Sequence, residues 1–110
     1  MSEKFLIYLK DINKAIDSIK NFIDGMNFEQ FKSDDKTSSA VIRKFEIIGE
    51  ATKNLPNGIK EKYPQIPWKD IAGMRNKLIH ADSEVDLNLV WQTIQKRLPE
   101  LQAFLDDVLR

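Results

Sequence analysis

Apolar residues recur in this chain every three or four positions, from one end to the other, and that spacing leaves little room for anything but helices. Phe5, Leu9, Ile12, Ile16, Ile19 and Ile23 form one such row, and Phe22 widens its end. Spacings that alternate between four and three put a single apolar stripe on a helix. Gly25 is a suitable stop for it. Phe28 to Lys32 has room for a short helical turn. A second long helix is expected from about Asp35 to Asn54, with Val41, Phe45, Ile48 and Leu55 as its main stripe and Ile42 and Ile47 beside it. Asp34-Asp35 sits where an N-cap belongs, and capping explains the pair better than a paired-carboxylate site does. Gly49 weakens this helix unless a close helix crossing compensates. Pro56-Asn57-Gly58 is expected to break the chain, with one or two helical turns from Ile59 to Tyr63 before Pro64.

The remaining third reads as two more helices. Pro67 suits the first turn of one, and Asp70 complements its positive end. Asp86 is a good N-cap for the other, with Val85 and Val90 placed as a hydrophobic staple. Leu87, Trp91, Ile94, Leu98, Leu101, Leu105 and Val108 carry one stripe to the C-terminus. Pro99 interrupts the hydrogen-bond ladder, so a kink is expected there, but the stripe keeps its phase across it. No strand alternation, repeat or low-complexity segment stands out. The expected fold is all-α: an antiparallel bundle of four to five helices forming one domain over residues 1–110.

Composition narrows the function. The chain has 110 residues, and a domain that small gains from burying a face against a second copy. Its 17 basic and 17 acidic residues cancel, which argues against a general nucleic-acid coat protein but not against a local basic cleft. With no cysteine and one histidine, disulfides and thiolate sites are excluded and a zinc site is improbable. A carboxylate-only magnesium site stays formally open. No apolar run is long enough to span a bilayer, and the N-terminus lacks a signal-peptide pattern, so a soluble cytoplasmic protein is expected.

The stretch Arg75-Asn76-Lys77-Leu78-Ile79-His80 carries the chemistry. His80 is the single side chain whose ordinary pKa suits proton transfer near neutral pH. A fixed cation lies five residues before it. A guanidinium and an imidazole suffice to cut RNA without a metal: the imidazole moves the 2′-hydroxyl proton and the guanidinium stabilises charge on the phosphate. Arg75 falls on the same face as Ile71, Met74 and Leu78, so it must pair, snorkel or meet an interface. On a regular helix His80 lies roughly 140° away from it. Either the helix ends near His80, or the site combines residues from two chains. Asn76, at i−4 from His80, is close enough to orient the ring or bind a phosphate. The bland alternative is that His80 merely complements the negative end of a helix.

Gly73-Met74-Arg75-Asn76-Lys77-Leu78-Ile79-His80 resembles the signature of the HEPN superfamily in its HepT-like (DUF86-type) branch. So do the run from Ala40 to Ala51, Pro67-Trp68, and the run from Val85 to Trp91. The resemblance spans nearly the whole chain. It implies an all-α bundle that dimerises with its Arg-x4-His motifs facing each other. It further implies a metal-independent ribonuclease, the toxin of a toxin–antitoxin pair whose usual partner is a minimal nucleotidyltransferase. On that reading Arg75, Asn76 and His80 are the catalytic set, and no metal or cofactor is needed. Arg43 and Lys77 are the candidate RNA- or nucleotide-binding cations; Arg43, beside the core stripe of its helix, either faces the same cleft as Arg75 or pairs with a carboxylate at the dimer seam. The alternative is a non-catalytic HEPN module that holds a nucleotide or the nucleotidyltransferase in the dimer cleft.

One residue departs from the family pattern. That pattern continues as His-x-Tyr, with the tyrosine associated with modification by the antitoxin. Here Asp82 stands in its place. Asp82 is therefore a regulatory position that offers no hydroxyl for modification and opposes an approaching phosphate. Elsewhere, Lys10, Lys14 and Lys20 are read as a solubilising face, Asp106-Asp107 as solvated, and Trp91 as core. Trp68 has a core reading and a base-stacking one.

Overall fold

The computed structural model describes residues 3–79 and 85–109, without the side chains of Glu3, Lys4, Arg75, Leu78 and Ile79. Every regular element among the described residues is a helix: α1 (Glu3–Phe22), α2 (Phe28–Ser33), α3 (Asp35–Lys53), α4 (Asn57–Lys62), α5 (Trp68–Ile79) and α6 (Leu87–Val108). Four are long, and the two six-residue helices overlap the short segments expected from Phe28 to Lys32 and from Ile59 to Tyr63, the second starting two residues early.

The stripes become the core. Leu9, Ile12, Ile16 and Ile19 of α1 are fully buried, as are Val41 of α3 and Val90 and Leu105 of α6. Phe22 does not join them and stays 38% exposed. It stands about 120° round the helix from Ile16, at the edge of the buried face. Gly25 ends the first segment as expected, with φ of 77°, a left-handed conformation that suits glycine. Asn27 then caps α2 in a reciprocal box with Gln30, both bonds 2.9 Å.

Asp34 is the N-cap of α3. Its carboxylate accepts from the Thr37 N–H at 3.0 Å and from the Thr37 hydroxyl at 2.8 Å. These bonds favour the ionised form and hold its pKa below the usual carboxylate value. Gly49 sits at the predicted close crossing. A Cβ there would lie 3.3 Å from the Ala72 carbonyl oxygen and 3.6 Å from that of Ile71, both on α5.

Two loop prolines lead straight into a helix. Pro56 separates α3 from α4 as expected, but the break is shorter than Pro56-Asn57-Gly58: the Pro56 carbonyl accepts from the Ile59 and Lys60 N–H groups, and Asn57-Gly58 already form the first turn of α4. Proline's fixed φ suits the position just before a helix as well as the first turn. Pro67 likewise precedes α5, its carbonyl accepting from the Ile71 N–H at 3.0 Å. The last helix follows expectation. Asp86 accepts from the Leu89 N–H at 3.1 Å, and α6 continues through Pro99 with Leu98 and Leu101 buried on either side.

Helix α3 packs against α1, α2 and α5, and α1 packs against α6. The α1–α6 pair is antiparallel: Phe5 shares a cleft with Asp107 and Val108, while Gln102 donates to Asn13 at 3.2 Å. The α3–α5 pair is antiparallel too, because Lys53 shares a cleft with Trp68 and Lys69 while Gly49 meets Ala72.

Asp107 is not merely solvated. The Tyr63 hydroxyl donates to its carboxylate at 2.8 Å, tying α4 to the end of α6. The bond, then burial, pushes the phenol pKa above its ordinary value. Only the neutral phenol can donate, so this stabilisation is complete below pH of about 10 and is lost as pH rises through the raised value. Tyr63→Phe should melt below wild type at neutral pH, and the gap should close in strong alkali. Melting curves across that range test this; a gap that persists means the variant lost packing alone.

Candidate active site

Helix α5 has a buried face and an open one. Ile71 and Met74 are buried, as the apolar face requires. Asn76 and Lys77 are exposed. The backbone of Arg75 lies in α5, between Met74 and Asn76, but its side chain is not among those described. His80 and Asp82 lie outside the described residues. The structure therefore places Asn76 and Lys77 on the open side of the motif helix.

Lys77 reaches back two turns to Asp70, with its Nζ 3.7 Å from the carboxylate and both side chains more than half exposed. At that exposure the pair adds little stability. Its effect is to direct the ammonium along the open face toward the start of α5. Arg43 is different. Its guanidinium bonds Glu46 on its own helix at 3.2 Å, and its side chain is 67% exposed. It stands six residues before Gly49, about 9 Å along α3 and roughly 120° round from the crossing. The antiparallel packing brings it level with the later turns of α5, but it does not point along the crossing line. Lys10, Lys14 and Lys20 are exposed, as the solubility reading requires.

The tryptophans divide. Trp91 is half-buried against Phe31 and Phe28, with ring centroids 5.1 and 6.1 Å away. Trp68 opens α5, and its indole N–H donates to the carbonyls of both Lys60 and Tyr63, at 3.1 and 3.0 Å. Its ring meets Phe104 edge-to-face at 4.9 Å. Beside it lies an open cleft of about 570 Å³ between the end of α3, α4 and the start of α5, rimmed by Lys53, Lys60, Lys69, Glu61 and Asp70. Sequence reasoning did not find this cleft, because its lysines come from three elements and share no local spacing. Among the described residues no three His, Cys, Asp or Glu side chains gather where they could hold a metal.

Residues 12–108 match the family described as "Ribonuclease HepT-like". The chain belongs to that HepT-like family. It is 50% identical over 96 residues to the "Probable ribonuclease HepT" of Thermococcus cleftensis, covering 87% of each chain. A "Putative RNase" of Caldanaerobacter subterraneus subsp. tengcongensis is 42% identical over 103 residues, 94% of this chain and 92% of the relative. Another "Putative RNase", from Methanocaldococcus jannaschii, is 43% identical over 103 residues, 94% of this chain and 89% of the relative. No solved structure matches the chain. The HepT-like match covers all of α2 to α6 and the second half of α1, from Ile12 onward.

Proposed function

We propose that this HepT-like chain is a metal-independent endoribonuclease, acting in the cytoplasm as the toxin of a pair completed by a minimal nucleotidyltransferase. The observation that supports it most is the Arg75-to-His80 motif, which follows the buried Ile71–Met74 face of α5 in a chain of this family. His80 takes the proton of an RNA 2′-hydroxyl. The freed oxygen attacks the adjacent phosphorus, Arg75 stabilises the phosphorane charge, and Asn76 positions His80 or a phosphate oxygen. The 5′-oxygen departs with the proton that His80 took up, leaving a 2′,3′-cyclic phosphate and a 5′-hydroxyl. Arg75 and His80 would diverge if α5 continued regularly to His80, so the working unit is a homodimer in which two motif helices face each other.

Asp82 supports a second reading, a non-catalytic module that holds a nucleotide or its partner in the same cleft. In either case an aspartate offers no stable acceptor for a nucleotidyl group, so neutralisation by the partner proceeds through binding. An intact-mass gain of one nucleotidyl group, mapped to residues 80–84, would overturn that point. Incubating RNA with the protein in EDTA separates the two main readings. Cleavage that persists and leaves cyclic phosphate ends supports the ribonuclease. Cleavage that needs added magnesium refutes this mechanism, and RNA bound but left intact supports the binding module.

A further inference from the structure

We propose that the cleft between α3, α4 and α5 is a second RNA subsite, which takes the single-stranded tract flanking the cleaved bond. Phosphates rest on Lys53, Lys60 and Lys69, and a base lies against Trp68. The proposal rests on the ribonuclease reading above and extends it to how the substrate is held.

Three observations support it. The first is that the ring at the cleft is already fixed. Two carbonyls hold the Trp68 N–H, and Phe104 packs against the ring, so a stacking base need not order the side chain first. The second is charge. None of the three lysines enters an ion pair among the described residues, whereas one of the two rim carboxylates, Asp70, is engaged by Lys77. The cleft therefore presents a net positive rim on a chain whose overall charge is zero.

The third is the path between this cleft and the motif. Lys69, Ala72, Gly73 and Asn76 follow one another at i, i+3, i+4 and i+7, one face of α5. Two small residues thus lie between two polar ones, over about 10 Å of helix. A Cβ at Gly73 would meet nothing within 4 Å among the described residues, so no described neighbour requires a glycine there. The trough lets a backbone approach α5 closely on its way from Asn76 to Lys69. Among the described residues the exposed large apolar side chains are Ile7 and Phe22, both on α1. The trough is bounded by the polar side chains of Lys69 and Asn76 and runs into the lysine rim of the cleft, which favours a nucleic-acid strand over a packed protein helix.

The test is binding of fully 2′-O-methylated single-stranded RNA, which lacks the attacking hydroxyl and cannot be cut. A Lys53→Ala/Lys60→Ala/Lys69→Ala variant should bind it at least about tenfold more weakly. The slope of log affinity against log salt should become shallower by about 2, for three phosphate contacts on a single strand. Lys69→Glu alone, at an exposed position, gives the same readout if the triple variant loses helix content. In a Trp91→Phe background Trp68 is the one remaining tryptophan, and its emission should change on saturation with RNA. Unchanged affinity and salt slope, or unchanged Trp68 emission at saturation, would overturn the subsite. So would a lysine variant that binds RNA normally but loses the partner nucleotidyltransferase, since the cleft would then dock protein. Normal binding of the methylated strand with no cleavage of ordinary RNA would overturn the ribonuclease reading while leaving the cleft in place. A wild type that binds no RNA would overturn both.

Discussion

His80→Ala should slow RNA cleavage by about 10²–10⁴-fold, the usual loss when a positioned proton carrier is removed. Arg75→Ala should cost about 10²–10³-fold, the usual loss of one charge-stabilising donor. Both variants should keep wild-type helix content by circular dichroism. A variant that loses helix content was structural, and the mechanistic assignment of that residue then fails. Rates should be unaffected by EDTA in wild type, because the motif supplies both the proton carrier and the cation. Mixing the two inactive variants tests the dimeric site. If each site draws Arg75 from one chain and His80 from the other, mixed dimers regain part of the activity that neither parent has. A mixture as inactive as its parents, or a wild type that stays monomeric at tens of micromolar, would refute the shared site.

Gly49→Leu should be among the most destabilising single changes in the chain, costing about 3 kcal/mol or more. Even a bare Cβ at this position lies 3.3 Å from the Ala72 carbonyl, a backbone atom of a packed helix that cannot swing aside. A leucine must push α3 and α5 apart, which is the overpacking case at its upper end. The motif helix would shift with it, so activity should fall further than stability alone explains. Gly73→Ala is the control. It removes the flexibility of a mid-helix glycine where the space is open, and should stabilise by roughly 0.5–1 kcal/mol. Chemical denaturation of the pair decides the matter: equal effects would mean that the α3–α5 crossing does not depend on Gly49.

Much of this architecture was legible before any coordinates, because it is governed by local rules. The stripes of α1, α3 and α6 follow helical period, the caps at Asp34 and Asp86 need bonds only three residues long, and a glycine inside an otherwise strong helix signals close approach. The break at Pro56 is shorter than Asn57-Gly58 suggests, because proline marks a helix start as readily as a chain break. Other features join residues far apart in sequence. Tyr63 meets Asp107, Asn13 meets Gln102, and Trp68 meets Phe104, and no spacing rule brings such pairs together. The candidate site divides in the same way. Its motif is a contiguous run, visible in the sequence, whereas the cleft is assembled from three helices and emerges only once they pack.

Helix α6 has a consequence for how that assembly is kept in proportion. At 22 residues it is roughly 33 Å long. Its first turn is capped by Asp86, six residues after the motif histidine in the chain. Near its other end, Phe104 and Asp107 hold Trp68 and Tyr63, at the opposite end of the α4–α5 unit. One rod thus carries, in its last turns, the support for the lysine-rimmed end of α5 and for α4 with it. Pro99 lies between the Asp86 cap and those anchors, where the rod lacks one backbone hydrogen bond. A bend at that joint would swing Phe104 and Asp107, and the cleft wall they hold would move with them.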